Sequence, residues 1–353
     1  SDDLIASTAA IAAELGLAYY DPVTAERLVD KAAQRRALRA AGIPVPEHWL
    51  IAPGAGEDEV GEVAGRIRYP AVLKPRQGQG SRNAFAVGDA ADLRAALRDL
   101  GGARRDFAVI VEEYLPDRAT SDPDFAGYLS VESVVLDGAI HHVTSTGRFP
   151  PMAPFRETGF FIPSALPADV LAEVLAVVDA AIPALGIRRG ALHTEVKLTP
   201  DGPRVIEVNG RLGGGVAGML ASVSDVNFFR LALDVAAGEL VPPALPLALD
   251  RVAYLFYVQA TVGHATVAAI EGLDDVGRHP GVRDVFLNRP PGSIVDWHDG
   301  NHGYVYSVTG VADDHDDLRR VARTLPGLVR IAFEEDAVPL DAGAQRAAAG
   351  PGS

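Results

Sequence analysis

Apolar and polar residues recur along this chain with two different periods, and each switch between them marks an element. Residues 4–15 and 22–41 repeat at helical spacing; the second stretch is opened by Asp21-Pro22 and closed by Gly42, with Pro44 and Pro46 beyond. Residues 69–74 form a short apolar strand, RQGQGSRN a glycine-rich loop, 85–87 the returning strand, and 89–100 a helix. Residues 107–114 read as a buried strand, 128–136 and 140–145 as a hairpin turning at Asp137-Gly138, and 168–185 as a long helix. A helix over 225–238 precedes the VPPALP linker at 241–246. Strands near 251–259, 264–270, 282–287 and 303–310, with a helix near 314–324, predict a small α+β domain at the C-terminal end. The ending DAGAQRAAAGPGS reads as a disordered tail.

One predicted hairpin concentrates the chemistry. Residues 191–198 alternate, 199–203 (TPDGP) carry turn residues, and 204–210 alternate again. With Leu198 opposite Arg204, Glu195 faces Glu207, His193 faces Asn209 and Lys197 faces Val205. His193, Glu195, Lys197, Glu207 and Asn209 then share one face, while Leu192, Val196, Ile206 and Val208 share the core face. Directly opposed carboxylates have Cβ atoms about 5 Å apart and repel unless a cation or a proton lies between them. Carboxylate and amide oxygens without Cys select Mg²⁺ or Mn²⁺ over zinc. Mg²⁺ bound by two or three protein groups completes its shell from phosphates and water. The plain alternative is a solvated polar face, and a slip of one residue would separate the two carboxylates.

Composition narrows the classes. The 353 residues, 48% hydrophobic and 22% charged, describe a soluble globular protein of two or three domains. A formal net charge of -15 argues against nucleic acid, whose phosphates require a basic surface. The sequence has no apolar run of bilayer length and no signal-peptide pattern, so no membrane is expected and a cytoplasmic location fits. Without cysteine there are no disulfides, thiol nucleophiles or thiolate metal sites.

Lys74 ends its apolar strand just before Gln77-Gly78-Gln79-Gly80-Ser81-Arg82, a loop whose backbone NH groups can approach phosphate oxygens. The lysine precedes the glycines and no GxxxxGK[ST] occurs, so this is not a Walker loop; nor does the spacing suit a dinucleotide-binding turn. In order, Asp30-Lys31, YPAVLKP, the glycine-rich loop, VEEYLP at 111–116, HTEVK and IEVNGRLGG resemble the ATP-grasp superfamily of carboxylate-amine ligases over residues 20–240. FRETGFFIPS at 155–164 and PGVRDVFL at 280–287 are similar to the L-amino acid ligase (dipeptide synthetase) branch.

The resemblance implies a mixed α+β ATP-grasp fold. Subdomains 21–110, with a lid loop, and 111–240, with a metal site, would hold ATP between them; a C-terminal α+β domain would cover 241–336 and a tail 337–353. Residues 1–20 look like the last helix and strand of a further α/β domain. Lys31 and Lys74 are implied on the phosphates under Gly78, Gly80 and Ser81, and Glu112, Glu113, Tyr114 and Leu115 at the adenine hinge. Mg²⁺, with Mn²⁺ as the alternative, falls on Glu195, Glu207 and Asn209. Arg211 reaches the acyl group, and Arg156, Glu157 and Gly214 join it as substrate contacts. Where many relatives carry a ribose-binding Glu before the 128–136 strand, this chain has Ala126-Gly127, leaving Asp122, Asp124 or Glu132 as candidates. His193 reads as a hydrogen-bonded structural histidine.

The implied reaction activates a carboxylate as an acyl phosphate at the expense of ATP. An amine then attacks to give an amide or peptide bond, with ADP and phosphate released. Both substrates are small molecules, and amino acids are the expected class; a homodimer is compatible with this reading. The competing readings are an ATP-binding regulatory subunit without the chemistry and a ligase using a nucleophile other than an amino acid.

Overall fold

A computed structural model describes residues 2–118, 122–239, 245–261 and 263–334, so the expected 337–353 tail and residues 241–244 of the linker lie outside the described residues. In chain order the helices are α1 (Ile5–Leu15), α2 (Pro22–Val29), α3 (Lys31–Ala40), α4 (Glu57–Ala64), α5 (Ala90–Asp99), α6 (Ala168–Ala184), α7 (Val216–Val223), α8 (Phe228–Ala237), α9 (Leu273–Arg278) and α10 (His315–Thr324). The first strands are β1 (His48–Ile51), β2 (Ala71–Pro75), β3 (Phe85–Val87), β4 (Val109–Glu113), β5 (Tyr128–Leu136), β6 (Ala139–Arg148), β7 (Gly159–Ile162), β8 (Gly190–Thr199) and β9 (Gly202–Asn209). They are followed by β10 (Val252–Gln259), β11 (His264–Glu271), β12 (Val282–Leu287), β13 (Ile294–Asp296), β14 (Tyr304–Ala312) and β15 (Arg330–Phe333). No single helix among the described residues is long and apolar enough to cross a membrane.

Two expectations are corrected at the N-terminal end. Residues 16–21 form no strand. The single helix expected over 22–41 is two, because Asp30 takes an extended conformation (φ −111°, ψ 106°) that ends α2. Its carboxylate then accepts from the Ala33 amide at 2.9 Å as the N-cap of α3. Lys31 thereby becomes the first residue of a new helix.

The chain divides into two compact units. The first comprises Ser1–Pro46, Leu115–Arg148 and Phe161–Ala253. Its strands lie in the order β7, β6, β5, β8, β9, and the pairs β5/β6, β5/β8 and β8/β9 are antiparallel. One face is apolar: Leu129, Val131, Val135, Leu192, Val196, Val205 and Val208 pack with Val174, Val178 and Ile182 of α6 and with Leu28 and Leu38. Each such burial contributes about 1.5–3 kcal/mol. The other face carries Glu132, His193, Glu195, Glu207 and Asn209.

The second unit comprises Glu47–Tyr114, Phe149–Phe160 and Tyr254–Ser353. Its four-stranded antiparallel sheet has the order β1-β4-β2-β3, with Ile51, Leu73, Val87, Val109 and Val111 packed on Val60 and Ala64 of α4 and Leu93 and Leu97 of α5. The unit also holds the strand runs β12-β14-β10 and β13-β11-β15.

Within this unit His298 sits between two carboxylates. Its Nδ1 donates to Asp296 at 2.6 Å and its Nε2 to Asp99, at the end of α5, at 2.8 Å. Burial pulls the imidazole pKa down, but Asp99 and Asp296 outweigh that pull and raise it above the ordinary 6.5. A raised folded-state pKa gives stability that is complete below the unfolded value of about 6.5 and is lost as pH rises through the folded value. The melting temperature of the wild type should therefore fall more steeply above about pH 6.5 than that of Asp99→Asn, followed by calorimetry. Parallel curves would remove the linkage.

Candidate functional site

Two cross-strand rows build the polar face of the first unit. Strand pairing sets Thr144, Glu132, His193 and Asn209 side by side, and next to them Thr146, Ser130, Glu195 and Glu207. The hairpin register is as expected at this end, where His193 pairs with Asn209 and Glu195 with Glu207. Toward the turn it differs. Val196 pairs with Val205, so Ile206 is the extra residue of a β-bulge; Lys197 then meets Arg204 and Leu198 meets Pro203. Val205 takes the core position that Ile206 was expected to fill.

The outer edge of β9 is closed by α3. Gln34 donates to the Val208 carbonyl at 3.0 Å and accepts from its amide at 2.8 Å, so one side-chain amide satisfies both backbone groups. Arg35 donates to the carbonyl of the bulged Ile206 at 2.5 Å. Docked this way, α3 brings Lys31 Nζ to 3.1 Å from Glu207 Oε1, with only 7% of the lysine side chain and 18% of the glutamate exposed.

Beneath the opposed carboxylates lies a buried ion pair. His193 Nδ1 donates to Glu132 Oε1 at 2.7 Å, and the same oxygen accepts from Ser130 Oγ at 2.9 Å and Thr146 Oγ1 at 3.3 Å. Burial opposes both charges. For His193 it is outweighed by the Glu132 charge and hydrogen bond, with help from Glu195, and the pKa is raised to about 9. For Glu132 it is outweighed by His193, Arg148 and Ser130, and the pKa is lowered. His193 Nε2 lies 3.5 Å from Glu195 Oε1. Burial pushes Glu195 up, but the hydrogen bond and charge of His193, then Arg148 and Arg211, hold it near 2. Glu195 is therefore ionised and 26% exposed. Asn209 Nδ2 donates to the His193 carbonyl at 3.3 Å. Arg211 Nε contacts both Asp2 carboxylate oxygens, at 2.9 and 3.0 Å.

The glycine run after β9 is a packing requirement at its first position. A β-carbon on Gly213 would stand 2.6 Å from His193 Nδ1 and 2.7 Å from Val216 Cγ2. On Gly214 it would meet nothing within 4 Å, and Gly215 supplies the left-handed N-cap of α7 (φ 75°). Gly213→Ala should cost about 1–3 kcal/mol in urea unfolding, whereas Gly214→Ala should stay within about 1 kcal/mol of wild type. Equal losses would mean that the His193 contact is not what constrains Gly213.

Among the described residues no group of three or more His, Cys, Asp or Glu is arranged to hold a metal ion. The expected set contains two carboxylates and an amide, and those are the groups brought together here. Both glutamates face each other from paired positions, with cations answering them: Lys31 on Glu207 and His193 on Glu195. An all-oxygen set of this charge fits Mg²⁺ or Mn²⁺.

Comparison with known proteins bears on this geometry. A family model described as L-amino acid ligase C-terminal domain 2 matches residues 261–334. Protein y4rH of Sinorhizobium fredii is 32% identical over 288 residues, which are 78% of this chain and 55% of y4rH. Carnosine synthase 1 of Gallus gallus is 30% identical over 52% of this chain and 20% of its own length. The chain thus spans about half, or less, of these two relatives. The crystal structure of L-amino acid ligase from Bacillus licheniformis superposes with a TM-score of 0.77 at 23% identity, over 95% of this chain and 79% of that one. The chain thus has the ATP-grasp fold of that ligase and is similar in sequence to carboxylate-amine ligases.

Of the remaining residues expected from ATP-grasp patterns, Lys74, Gly78, Gly80, Ser81, Arg156 and Glu157 lie in the second unit, Glu112 to Leu115 at its boundary, and the ribose candidates Asp122, Asp124 and Glu132 in the first. Lys74 Nζ is 2.6 Å from Glu112 Oε2, so the first carboxylate of the segment expected at the hinge also holds the lysine of the neighbouring strand. Glu113 accepts from the Glu47 amide at 3.3 Å, the Tyr114 amide donates to the Pro70 carbonyl, and the chain passes from one unit to the other between Tyr114 and Leu115. Gly78 (φ 145°), Gly80 (φ 65°) and Ser81 (φ 55°) all have positive φ. Arg156 is 2% exposed and donates to the carbonyls of Ala153 and Ala260, with burial lowering its pKa to about 10. Glu157, its neighbour, is held through backbone and carboxylate by Asn301. Glu132, a candidate for ribose, is fully buried and committed to His193. Sequence reasoning missed Gln34, Arg35 and Arg148; the only signal for the first two was their position one turn after Lys31.

Proposed function

We propose that this chain carries out ATP-dependent ligation of a carboxylate to an amine, with amino acids as the substrate class. The observation that carries the reading is the opposed Glu195/Glu207 pair on one polar face, with Lys31 on Glu207 and Glu195 held ionised by His193. Glu195, Glu207 and Asn209 would hold Mg²⁺, which supplies charge neutralisation for phosphoryl transfer. Lys31 and Lys74 are the proposed phosphate contacts, each kept in place by a carboxylate, Glu207 and Glu112. In the first step a substrate carboxylate oxygen attacks the γ-phosphorus, the bond to the β-γ bridging oxygen breaks, and ADP leaves. In the second the amine nitrogen attacks the acyl carbon, phosphate departs with the electron pair of its C–O bond, and the nitrogen loses a proton. Arg211 and the backbone NH groups that follow it are the proposed donors to the tetrahedral oxyanion. No side-chain nucleophile is needed, consistent with a chain lacking cysteine.

A coupled assay of ADP release against pairs of amino acids and amines, with mass detection of the amide, tests this reading. The expected result is ADP formation that requires both an acid and an amine. Tight Mg·ATP binding with no turnover on any pair would favour a regulatory nucleotide-binding role instead.

A further inference from the structure

We propose that the turn at residues 300–302 is a latch joining the glycine-rich loop to Glu157, with Asn301 as the positioning residue between them. All of these residues lie in the second unit. The 3-10 segment Trp297–Gly303 changes direction at Gly300, whose φ of 59° and ψ of −132° favour glycine. There the backbone abuts the loop: a β-carbon on Gly300 would stand 2.3 Å from the Gly80 carbonyl oxygen and 2.7 Å from the Arg82 nitrogen. The Asn301 amide donates to that same Gly80 oxygen at 2.8 Å. From the loop side, a β-carbon on Gly80 would come within 3.1 Å of His302 Nε2. At Gly300 the loop backbone leaves no space for a side chain, and at Gly80 a β-carbon would press on the His302 ring.

The Asn301 side chain turns to the other partner. Its Oδ1 accepts from the Glu157 amide at 2.8 Å and its Nδ2 donates to Glu157 Oε2 at 3.0 Å. Gln259 Nε2 donates to the Glu157 carbonyl at 2.9 Å, so both backbone groups of Glu157 are gripped. The segment is anchored elsewhere as well: Trp297 packs edge-on against Phe85, just past the loop, and His298 bonds Asp99. One residue therefore connects, through its main chain, the loop expected to cover the phosphates and, through its side chain, the carboxylate expected to face substrate. Displacing either partner must strain or break the bonds to the other. The latch rests on the ligase reading for its purpose, which is to make loop closure and substrate recognition a single event, but not for its detection.

Gly300→Ala tests it, because the three atoms nearest the new methyl all belong to residues 80–82. Hydrogen exchange is read at the Glu157 amide, at the loop amides of Arg82 and Ala84, and in β2 and β4 as controls. Transmission through Asn301 should speed exchange at Glu157 about tenfold, the scale of one lost hydrogen bond, along with the loop and with unchanged controls. A faster loop with Glu157 unchanged overturns the latch. Should the controls also speed up, Asn301→Ala replaces it: this variant keeps the amide bond to Gly80, and faster exchange at Arg82 and Ala84 is expected, whereas an unchanged loop overturns the latch. A second arm adds Mg²⁺ with the non-hydrolysable ATP analogue AMP-PCP. Wild type should slow at the loop and at Glu157 together, and Asn301→Ala at the loop alone. Slowing at the wild-type loop without Glu157 overturns the latch; no slowing anywhere counts against the ATP reading of the loop and leaves the variants to decide the latch.

Discussion

Glu207→Gln is expected to lower kcat for Mg²⁺-dependent ADP formation by about a thousandfold while leaving the fold intact. The substitution keeps the shape of the side chain and removes one negative charge from the oxygen set formed with Glu195 and Asn209. A metal that neutralises charge in phosphoryl transfer contributes several kcal/mol at the transition state, and 1.4 kcal/mol is a factor of about ten. The stability cost is modest by comparison, because Gln still offers an oxygen to Lys31 at the position Glu207 Oε1 now holds, 3.1 Å from its Nζ. The check is a metal titration at saturating ATP beside a urea melt. The expected pattern is a raised requirement for Mg²⁺, a depressed kcat and a nearly unchanged melt. Unchanged kcat and metal requirement would remove Glu207 from the metal set; a collapsed melt would show that the Lys31 pair is primarily structural.

What sequence alone reveals about this site depends on how far apart the partners are. Glu195 and Glu207 were legible as facing residues because both arms alternate up to them, although the turn does not set that pairing: Thr199 meets Gly202 and Leu198 meets Pro203, and the extra residue Ile206 brings the two carboxylates back into the expected register. The turn end was not: the Ile206 bulge adds one residue that period-2 alternation does not record, and only the closure of the strand pair at Thr199 and Gly202 shows it. Glu132 could be placed on β5, but its partner His193 lies 61 residues on, and their adjacency comes from β5 lying between β6 and β8. Asp30 looked like one residue of a continuous helix because its neighbours keep the apolar period on both sides; its own capping bond breaks it. β7 escaped because all four of its residues are buried, which leaves no alternation to read. The fold family, by contrast, was visible in the order of short motifs, each set by backbone geometry near a phosphate or a metal rather than by long-range packing.

His193→Leu is expected to destabilise the chain by about 3–5 kcal/mol, more than any other single change considered for the polar face. It leaves the Glu132 carboxylate fully buried without the imidazole that donates to it at 2.7 Å, with Ser130 and Thr146 as its remaining hydroxyl donors. Glu132→Met should cost less, because a histidine deprived of its carboxylate can shed its proton and remain buried as a neutral ring. The double variant should recover most of the loss, since two apolar side chains of similar volume carry no desolvation penalty and buried pairs are often replaced this way with little net cost. Urea unfolding of the four proteins gives the coupling energy. A double variant no more stable than His193→Leu would mean that packing around Gly213, rather than charge, holds the pair together. The recovered double variant also separates stability from chemistry. With His193 gone, Glu195 loses its nearest cation and its pKa should rise from about 2 toward ordinary carboxylate values. A well-folded double variant with weaker Mn²⁺ binding would show that the buried pair sets the ionisation of Glu195; unchanged Mn²⁺ binding would confine the pair to stabilising the sheet.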